Sequence, residues 1–404
     1  MKKNKNIVII GGGPSGLMAA EIIAALGHQV LIYDAMPTVG RKFMMAGRGG
    51  LNLTHSEPIE KFITRYYEAS NWLEPYIKAY DPKKLQKWCE ELGQETFIGT
   101  SGRIFPRSMK ASPLLRLWLK RLDNLGVKFF VRHSWQGFDG EDLIFSNADK
   151  NIIKVKSDAT LLALGGASWP HLGSDGSWVD ILSKCGVKIS PLRSANCGFV
   201  TKWSDYLINN FAGTALKSLA VKHKNFSCKG EIIITKQGVE GVAIYGLSAS
   251  LRKSIENEGQ AILYLDLRPE MSLLELSQKL QNRGKKSLSN HLRKAGFPAI
   301  IGALLKELIP SDILAKATPD ILANYLKNLP ITLTSAANIN RAISSAGGIK
   351  QESLDKNFML KNKPKVFVAG EMLDWEAPTG GYLLQGCFST AVAAANGILS
   401  FVEN

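Results

Sequence analysis

The chain has 404 residues, 45% of them apolar, and carries 50 Lys and Arg against 35 Asp and Glu, a formal net charge of +15. That length predicts two or three domains rather than one compact core, and the near-zero mean hydropathy is that of a soluble globular protein. The charge turns attention to polyanions (RNA, DNA, an acidic membrane surface, nucleotide phosphates), with general solubility as the bland alternative.

The N-terminal Lys2, Lys3 and Lys5 precede an apolar run in the manner of a signal peptide. The run is broken at once by Gly-Gly-Gly-Pro, so no export signal is read and a cytoplasmic location is expected. No segment reaches the roughly 20 uninterrupted apolar residues of a membrane span. The five cysteines, Cys89, Cys185, Cys197, Cys228 and Cys387, stand at least 12 residues apart. That spacing offers neither a C-x-x-C pair nor a zinc pattern, and no metal is expected.

In chain order, Ile7-Val8-Ile9-Ile10 reads as a strand and Gly11-Gly12-Gly13-Pro14-Ser15-Gly16 as a turn. Leu17 to Leu26 reads as a helix, and Val30 to Tyr33 as a second strand ending in Asp34. Each part suits a dinucleotide site. Gly11 permits the tight turn, Gly13 lets backbone approach a pyrophosphate, and Gly16 lets helix and sheet lie close. The helix N-terminus offers free N–H groups to phosphate, and Asp34 offers a carboxylate to ribose hydroxyls. Residues 40–54, including Gly40, Arg41, Lys42, Arg48, Asn52 and Thr54, read as a glycine-rich loop. Helices are expected from Pro82 to Glu91 and from Ser112-Pro113 onward, with Leu114, Leu115, Trp118, Leu119 and Leu122 on one face. Between them Gly102 to Arg107 reads as a loop whose Arg103 and Arg107 are candidate anion contacts or plain surface cations.

Short strands are expected at Val127–Val131, Gln136–Phe138, Leu143–Phe145, Ile152–Lys156 and Thr160–Leu164, the last running to Gly165-Gly166. A helix follows from about Ser177 to Cys185. Residues 190–340 change texture, with strands at Gly198–Thr201, Glu231–Thr235 and Ala261–Asp266, then Lys- and Leu-rich helices over about 272–328. Lys365 to Gly370 again reads strand-then-glycine, followed by a loop to Gly381 and a small-residue helix from about Leu384 to Val402. A terminal strand and helix have no core of their own. The expected organisation is therefore a discontinuous nucleotide-binding domain, 1–190 with 341–404, and an inserted domain, 191–340.

Four signatures occur in order: Gly11-x-Gly13-x-x-Gly16 with Asp34; Gly40-Arg41-Lys42 with Asn52-Leu-Thr54; Ala163-Leu-Gly165-Gly166; and Val366-Phe-Val-Ala-Gly370-Glu371 with Pro378-Thr-Gly-Gly-Tyr382. Together they are similar to the FAD-dependent oxidoreductases of the two-dinucleotide-binding-domain superfamily. Within it, almost the whole chain resembles the BaiN/YhiN-like family of bacterial flavoproteins. The resemblance implies an α/β fold: a Rossmann-like, glutathione-reductase-like FAD-binding domain with an inserted mixed β-barrel-like and helical domain facing the substrate. It implies that Gly11, Gly13, Pro14, Ser15 and Gly16 hold the pyrophosphate of a non-covalent FAD, and Asp34 its adenosine ribose. Gly40, Arg41, Lys42, Asn52 and Thr54 would line phosphates or ribityl chain, with Gly165 and Gly166 against the nucleotide. Gly370 and Glu371 would meet the ribityl region, and Gly380, Gly381, Tyr382 and Leu383 the flavin. Many relatives have a Gly-Gly-Arg-Cys-Asn-type loop where this chain reads Gly47-Arg48-Gly49-Gly50-Leu51-Asn52, so no loop thiol carries over.

The implied chemistry is NAD(P)H-driven hydride transfer through flavin N5 to an unsaturated C=C substrate. The chain holds no second G-x-G-x-x-G, so NAD(P)H would dock transiently. Catalytic candidates are Tyr382, Asp374 and Cys387, each with a bland reading as a packed phenol, a solvated carboxylate or a buried thiol. Members of the wider family are associated with steroid-like enones and with uridine in ribosomal RNA. An RNA substrate would find Lys279, Arg283, Lys285, Lys286, Arg293 and Lys294, a run of six cations with no acid among them. A non-catalytic flavin-bound sensor or assembly factor is the third reading.

Overall fold

The computed structural model describes residues 4–47 and 49–403; Lys2, Lys3 and Arg48 of the sequence reading lie outside them. Two compact units emerge, one from residues 1–193 with 344–404 and one from 194–343.

The first unit is built on a five-stranded sheet. Strand β1 (Asn6–Ile10) is central, flanked by β2 (Gln29–Asp34) and by Ala159–Leu162; Lys128–Val131 and Val366–Val368 form the edges. Every pairing is parallel. Central parallel strands are covered on both faces, which is why Ile7 to Ile10 form an unbroken apolar run instead of an alternating one. Helix α1 (Pro14–Ala25) starts at Gly13, with Pro14 in the first turn, where its missing N–H costs nothing. It packs against the C-terminal helix Tyr382–Glu403. That helix is long and apolar enough to cross a membrane by length and composition alone. In the fold it is a core element, with Gln385, Ser389, Thr390, Ala391, Ala394 and Ala395 all buried.

The second unit is a seven-stranded antiparallel sheet with helices against it. Its strand order is Leu329–Leu333, Ala261–Asp266, Ala215–His223, Phe226–Ile234, Gly238–Glu240, Phe199–Val200, Ser335–Ala336. The first and last strands in this order are joined by Thr334 alone, whose N–H donates to the Val200 carbonyl at 2.9 Å. One residue spans less than about 4 Å, so the sheet must curl until its two edges meet. The barrel-like character follows from this connection.

Three expectations are corrected. The glycine-rich loop at 40–54 contains a short helix, Arg41–Ala46, started by Gly40 in the left-handed region at φ 71°. The loop at 102–107 is a strand, Arg103–Pro106, paired antiparallel with Thr96–Ile98. Four residues are too short for a period-2 pattern to stand out, and Pro106 masks it further. Finally, the nine-residue strand Ala215–His223 escaped the sequence reading. Its register slips between Leu216 and Leu219, with Ser218 at φ 54°. A bulge breaks the alternation that a strand is read by.

Candidate functional site

A cleft of about 200 Å³ opens at the C-terminal ends of β1, β2 and Ala159–Leu162 in the first unit. This is where open parallel sheets bind ligands. Its floor is the Gly11–Ser15 turn and the start of α1. Gly13 caps the helix with no side-chain partner for the first-turn N–H groups, which leaves the helix N-terminus available to an anion. A Cβ added at Gly13 would meet no protein atom within 4 Å, whereas one at Gly16 would stand 2.0 Å from the Gly11 carbonyl oxygen. Gly16 is therefore required by the fold itself, and Gly13 faces open space.

Asp34 closes β2. Its two carboxylate oxygens accept from the Gly12 and Met36 amides, each at 2.8 Å. Burial raises its pKa, opposed by those two N–H bonds and by the Arg41 charge. The carboxylate thus fixes the phosphate turn as well as facing the cleft. Arg41 lines the same cleft, and its buried Nε has no hydrogen-bond partner. Lys42 does not stand free for phosphate. Its ammonium donates to Ser168 Oγ at 2.6 Å and to Glu371 Oε2 at 2.8 Å. Glu371 in turn accepts from the Ser345 amide at 3.0 Å.

The structure adds residues that no motif announced. His133, Ser134 and Trp135 line the cleft, as do Met36 and the segment around Leu172 to Asp175. The His133 amide donates to the Asp34 carbonyl at 2.9 Å, which holds this stretch beside the end of β2. Trp135 Nε1 and Ser174 Oγ are buried without a partner. A buried indole N–H was the one available signal, and it becomes visible only once the neighbours are known.

The remaining sequence candidates are spread through the first unit, some of them in the cleft and some outside it. Gly165 lines the cleft, and its carbonyl accepts from Trp178 Nε1 at 2.9 Å; Gly166 packs on Ser345. The Gly370 amide donates to Thr390 Oγ1 at 3.1 Å. Thr54 Oγ1 donates to Gln385 Oε1 at 2.8 Å, and Asn52 Oδ1 is buried and unpartnered. Gly380 and Gly381 sit at φ 134° and 94°, and a Cβ on Gly381 would stand 2.5 Å from Thr54 Cα. That approach fixes the start of the C-terminal helix, and the next residues are Tyr382, which is buried, and Leu383, which is half-buried.

Of the catalytic candidates, Tyr382 donates its phenol to Glu57 Oε1 at 2.5 Å and stacks on His55 with ring centroids 5.4 Å apart. Burial, then Glu57, raises its pKa, so the phenol keeps its proton at neutral pH. Arg65 closes the cluster with Nε and NH2 on the two Glu57 oxygens, at 2.9 and 2.8 Å. Asp374 accepts from Ser190 Oγ at 2.5 Å. Cys387 does line the cleft, but burial pushes its thiol up to about 12, with the Glu371 charge adding to the shift. It is a thiol, not a thiolate. Arg107 is engaged by Glu95 at 2.8 Å on an exposed surface. Among the described residues, no group of three or more His, Cys, Asp or Glu side chains is placed to hold a metal.

Residues 5–397 match the model of the HI0933-like protein Rossmann domain. The chain belongs to this HI0933-like family. It is 26% identical to a 3-dehydro-bile acid delta(4,6)-reductase of Clostridium scindens, over 96% of this chain and 97% of the relative. It is also 22% identical to a ribosomal RNA dihydrouridine synthase of Haemophilus influenzae, over 98% of each. In fold it resembles the 3-ketosteroid delta1-dehydrogenase of Sterolibacterium denitrificans, at TM-score 0.55 and 11% identity, covering 98% of this chain and 99% of that one. This HI0933-like protein is an FAD-dependent oxidoreductase with a Rossmann-type FAD-binding fold.

The cleft fits FAD on two independent observations, the bare glycine at the α1 N-terminus and a set of unpartnered polar atoms. Gly13 leaves open the space a phosphate needs. The N-terminus of α1 has no side-chain cap. Three lining residues, Arg41, Trp135 and Ser174, hold buried polar atoms with no partner, a costly arrangement in a protein interior unless a ligand completes it.

Proposed function

We propose that this oxidoreductase reduces a carbon–carbon double bond, with NAD(P)H as the electron donor. The observation that carries the reading is the end-to-end similarity to a relative named as a delta(4,6)-reductase. The single dinucleotide turn at Gly11–Gly16 is consistent with a donor that docks and leaves. When bound, FAD supplies a two-electron carrier between donor and substrate.

The chain's own residues bind and orient in this reading. The Gly11–Gly16 turn, the α1 N-terminus and Arg41 hold the pyrophosphate, and Asp34 the ribose. The Lys42–Glu371 pair ties the helix Arg41–Ala46 to the turn after Val366–Val368, and so fixes both sides of the cleft. Tyr382, Glu57 and Arg65 keep a proton on a hydroxyl at the start of the C-terminal helix. Anaerobic mixing with NADPH or NADH is expected to bleach the flavin absorbance. No bleaching with either would remove the nicotinamide donor from the reading.

A second substrate class is favoured by one specific observation. Lys279, Lys285, Lys286, Arg293 and Lys294 are all exposed on the second unit, with Arg283 half-buried among them. The double bond of uracil is reduced in the reaction for which the Haemophilus relative is named, so the same redox chemistry would act on a polyanion. RNA binding through this face falls steeply with salt, and each phosphate contact removed lowers the log–log slope by about 0.7. Neutralising Lys285, Lys286, Arg293 and Lys294 is expected to flatten that slope. Unchanged RNA affinity and slope would leave a small molecule as the substrate.

A further inference from the structure

His55 ends the short strand Thr54–His55, which pairs antiparallel with Arg103–Pro106. Both of its ring nitrogens are committed. Nε2 lies 3.0 Å from the Ser101 carbonyl, which can only accept, so Nε2 carries a proton. Nδ1 accepts the Glu57 amide N–H at 3.1 Å, so it keeps its lone pair. The two contacts together admit the neutral imidazole in a single tautomer. The ring is also confined. Tyr382 stacks on it at 5.4 Å with the planes 20° apart. The Gly102 backbone lies so close that a Cβ there would stand 2.6 Å from His55 Cε1.

A second proton would go to Nδ1 and set one N–H against another at the Glu57 amide. Glu57 must then shift, and its carboxylate is the group that accepts from the Tyr382 phenol at 2.5 Å and from Arg65 at 2.9 and 2.8 Å. Glu57 would attract an imidazolium, but Arg65 already pairs with it and Lys61 stands 3.9 Å from the same carboxylate. Arg103, directly opposite His55 in the strand pair, adds a cation on the same face. From the C-terminal helix, Tyr382 presents a phenol that keeps its proton. One carboxylate thus faces three cations, and its attraction for a charged ring is offset. We propose that His55 is a pH-sensitive latch: the neutral ring holds Glu57, and through Glu57 the Tyr382 end of the C-terminal helix, and protonation of the ring releases that end. Thr54, the preceding residue, donates to Gln385 of the same helix at 2.8 Å, so a shift here reaches the first helical turn at two points. The latch requires neither a particular cofactor nor a particular substrate.

Amide hydrogen exchange of the full-length protein, read by mass spectrometry, tests this. The informative peptides span residues 54–58 and 381–386. After correction for the intrinsic pH dependence of exchange, protection in both should fall about five- to tenfold between about pH 8 and about pH 5, the loss of one hydrogen bond across the range in which imidazoles change charge. His55→Asn separates the latch from a general acid effect. An asparagine side chain accepts from the amide two residues on without titrating, so its protection should stay level across that range. The other five histidines are the same in both proteins. His55→Phe keeps a ring against Tyr382 and removes the acceptor, so its protection at about pH 8 should already match that of the wild type at about pH 5. A melting curve checks that each variant folds; should His55→Phe fail, His55→Asn against wild type carries the test. Equal wild-type protection at both pH values would overturn the proposal, as would a pH dependence in His55→Asn as large as that of wild type.

Discussion

Replacing Gly13 with alanine separates the binding role of the glycine turn from its folding role. At φ −82° and ψ −177° the Gly13 backbone is one any residue adopts, and the added Cβ meets no protein atom within 4 Å. Alanine is a poorer N-cap than glycine, at a cost of up to about 1 kcal/mol. Its lower entropy in the unfolded chain returns about 0.4–1 kcal/mol. The melting temperature of the FAD-free chain should therefore stay within a few degrees of wild type. FAD affinity should fall sharply, because a methyl group then stands where the pyrophosphate must meet the α1 N–H groups. Loss of one charge-assisted hydrogen bond is about 1.5–3 kcal/mol, a 10- to 100-fold rise in Kd. G16A is the counterpart. Its Cβ would stand 2.0 Å from the Gly11 carbonyl oxygen and 3.2 Å from Ile9 Cγ2. Overpacking of that kind costs about 1–3 kcal/mol or more and should lower the melting temperature directly. Calorimetry with FAD and a thermal melt of each variant supply both readouts. Wild-type FAD affinity in G13A, or a melt as depressed as that of G16A, would refute the division of roles.

Arg41→Ala is expected to weaken FAD about 10- to 100-fold and to reduce the salt dependence of binding, whereas Lys42→Met should chiefly lower stability, by about 1–3 kcal/mol, since it strands Glu371; titration and denaturant unfolding distinguish the two. Glu57→Gln tests a pH dependence. Burial raises the Glu57 pKa, but the Arg65 and Tyr382 hydrogen bonds outweigh it and hold the carboxyl below its usual 4.5. A depressed folded value stabilises the protein above 4.5 and is lost as pH falls through the folded value. The melting curve of Glu57→Gln against pH should accordingly be flatter on the acid side than that of wild type, and parallel curves would count against it. Cys387→Ala should retain the rate of flavin reduction, and iodoacetamide at neutral pH should leave native Cys387 unlabelled, because its thiol is pushed up to about 12; mass spectrometry of the treated protein reads this out.

What the sequence made legible was local. The strand–turn–helix–strand–acid run at residues 6–34 carries its reasons in consecutive residues, and it folds as β1, α1 and β2 with Gly13 at the helix start. The parallel strand at Val366–Val368 was equally readable from an apolar run ending in glycine. Long-range partners were not. Trp135 and Ser174 reach the cleft from segments far beyond Asp34; Gly173-Ser174-Asp175-Gly176 reads as a turn, but nothing in either segment's sequence points to the cleft. Tyr382 illustrates the opposite difficulty. Its position before the C-terminal helix is plain, but its partner Glu57 lies 325 residues away and is fixed only by folding. The strand at Ala215–His223 was hidden by its own bulge.

Lys42 and Arg41 are adjacent in sequence, and by resemblance both belonged beside the cofactor phosphates or the ribityl chain. The fold gives them different work through one neighbour. Glu371 follows the last strand of the sheet, and it is 13% exposed against 26% for its partner Lys42. A carboxylate so placed would repel a pyrophosphate in the same cleft unless neutralised. Lys42 neutralises it at 2.8 Å and cannot serve the ligand at full strength as well. Among the described residues that line the cleft, Arg41 is then the permanent cation left without a carboxylate partner in hydrogen-bond contact, with its Nε still open. Two phosphates carry about two negative charges. The α1 N-terminus, equivalent to about half a charge, and one guanidinium come close to matching them. The site therefore requires the C-terminal return of the chain for its charge balance as much as for its shape. In the proposed reading the glycine turn would place the phosphates, and the Lys42–Glu371 pair, in contact at 2.8 Å, would determine which cation they meet.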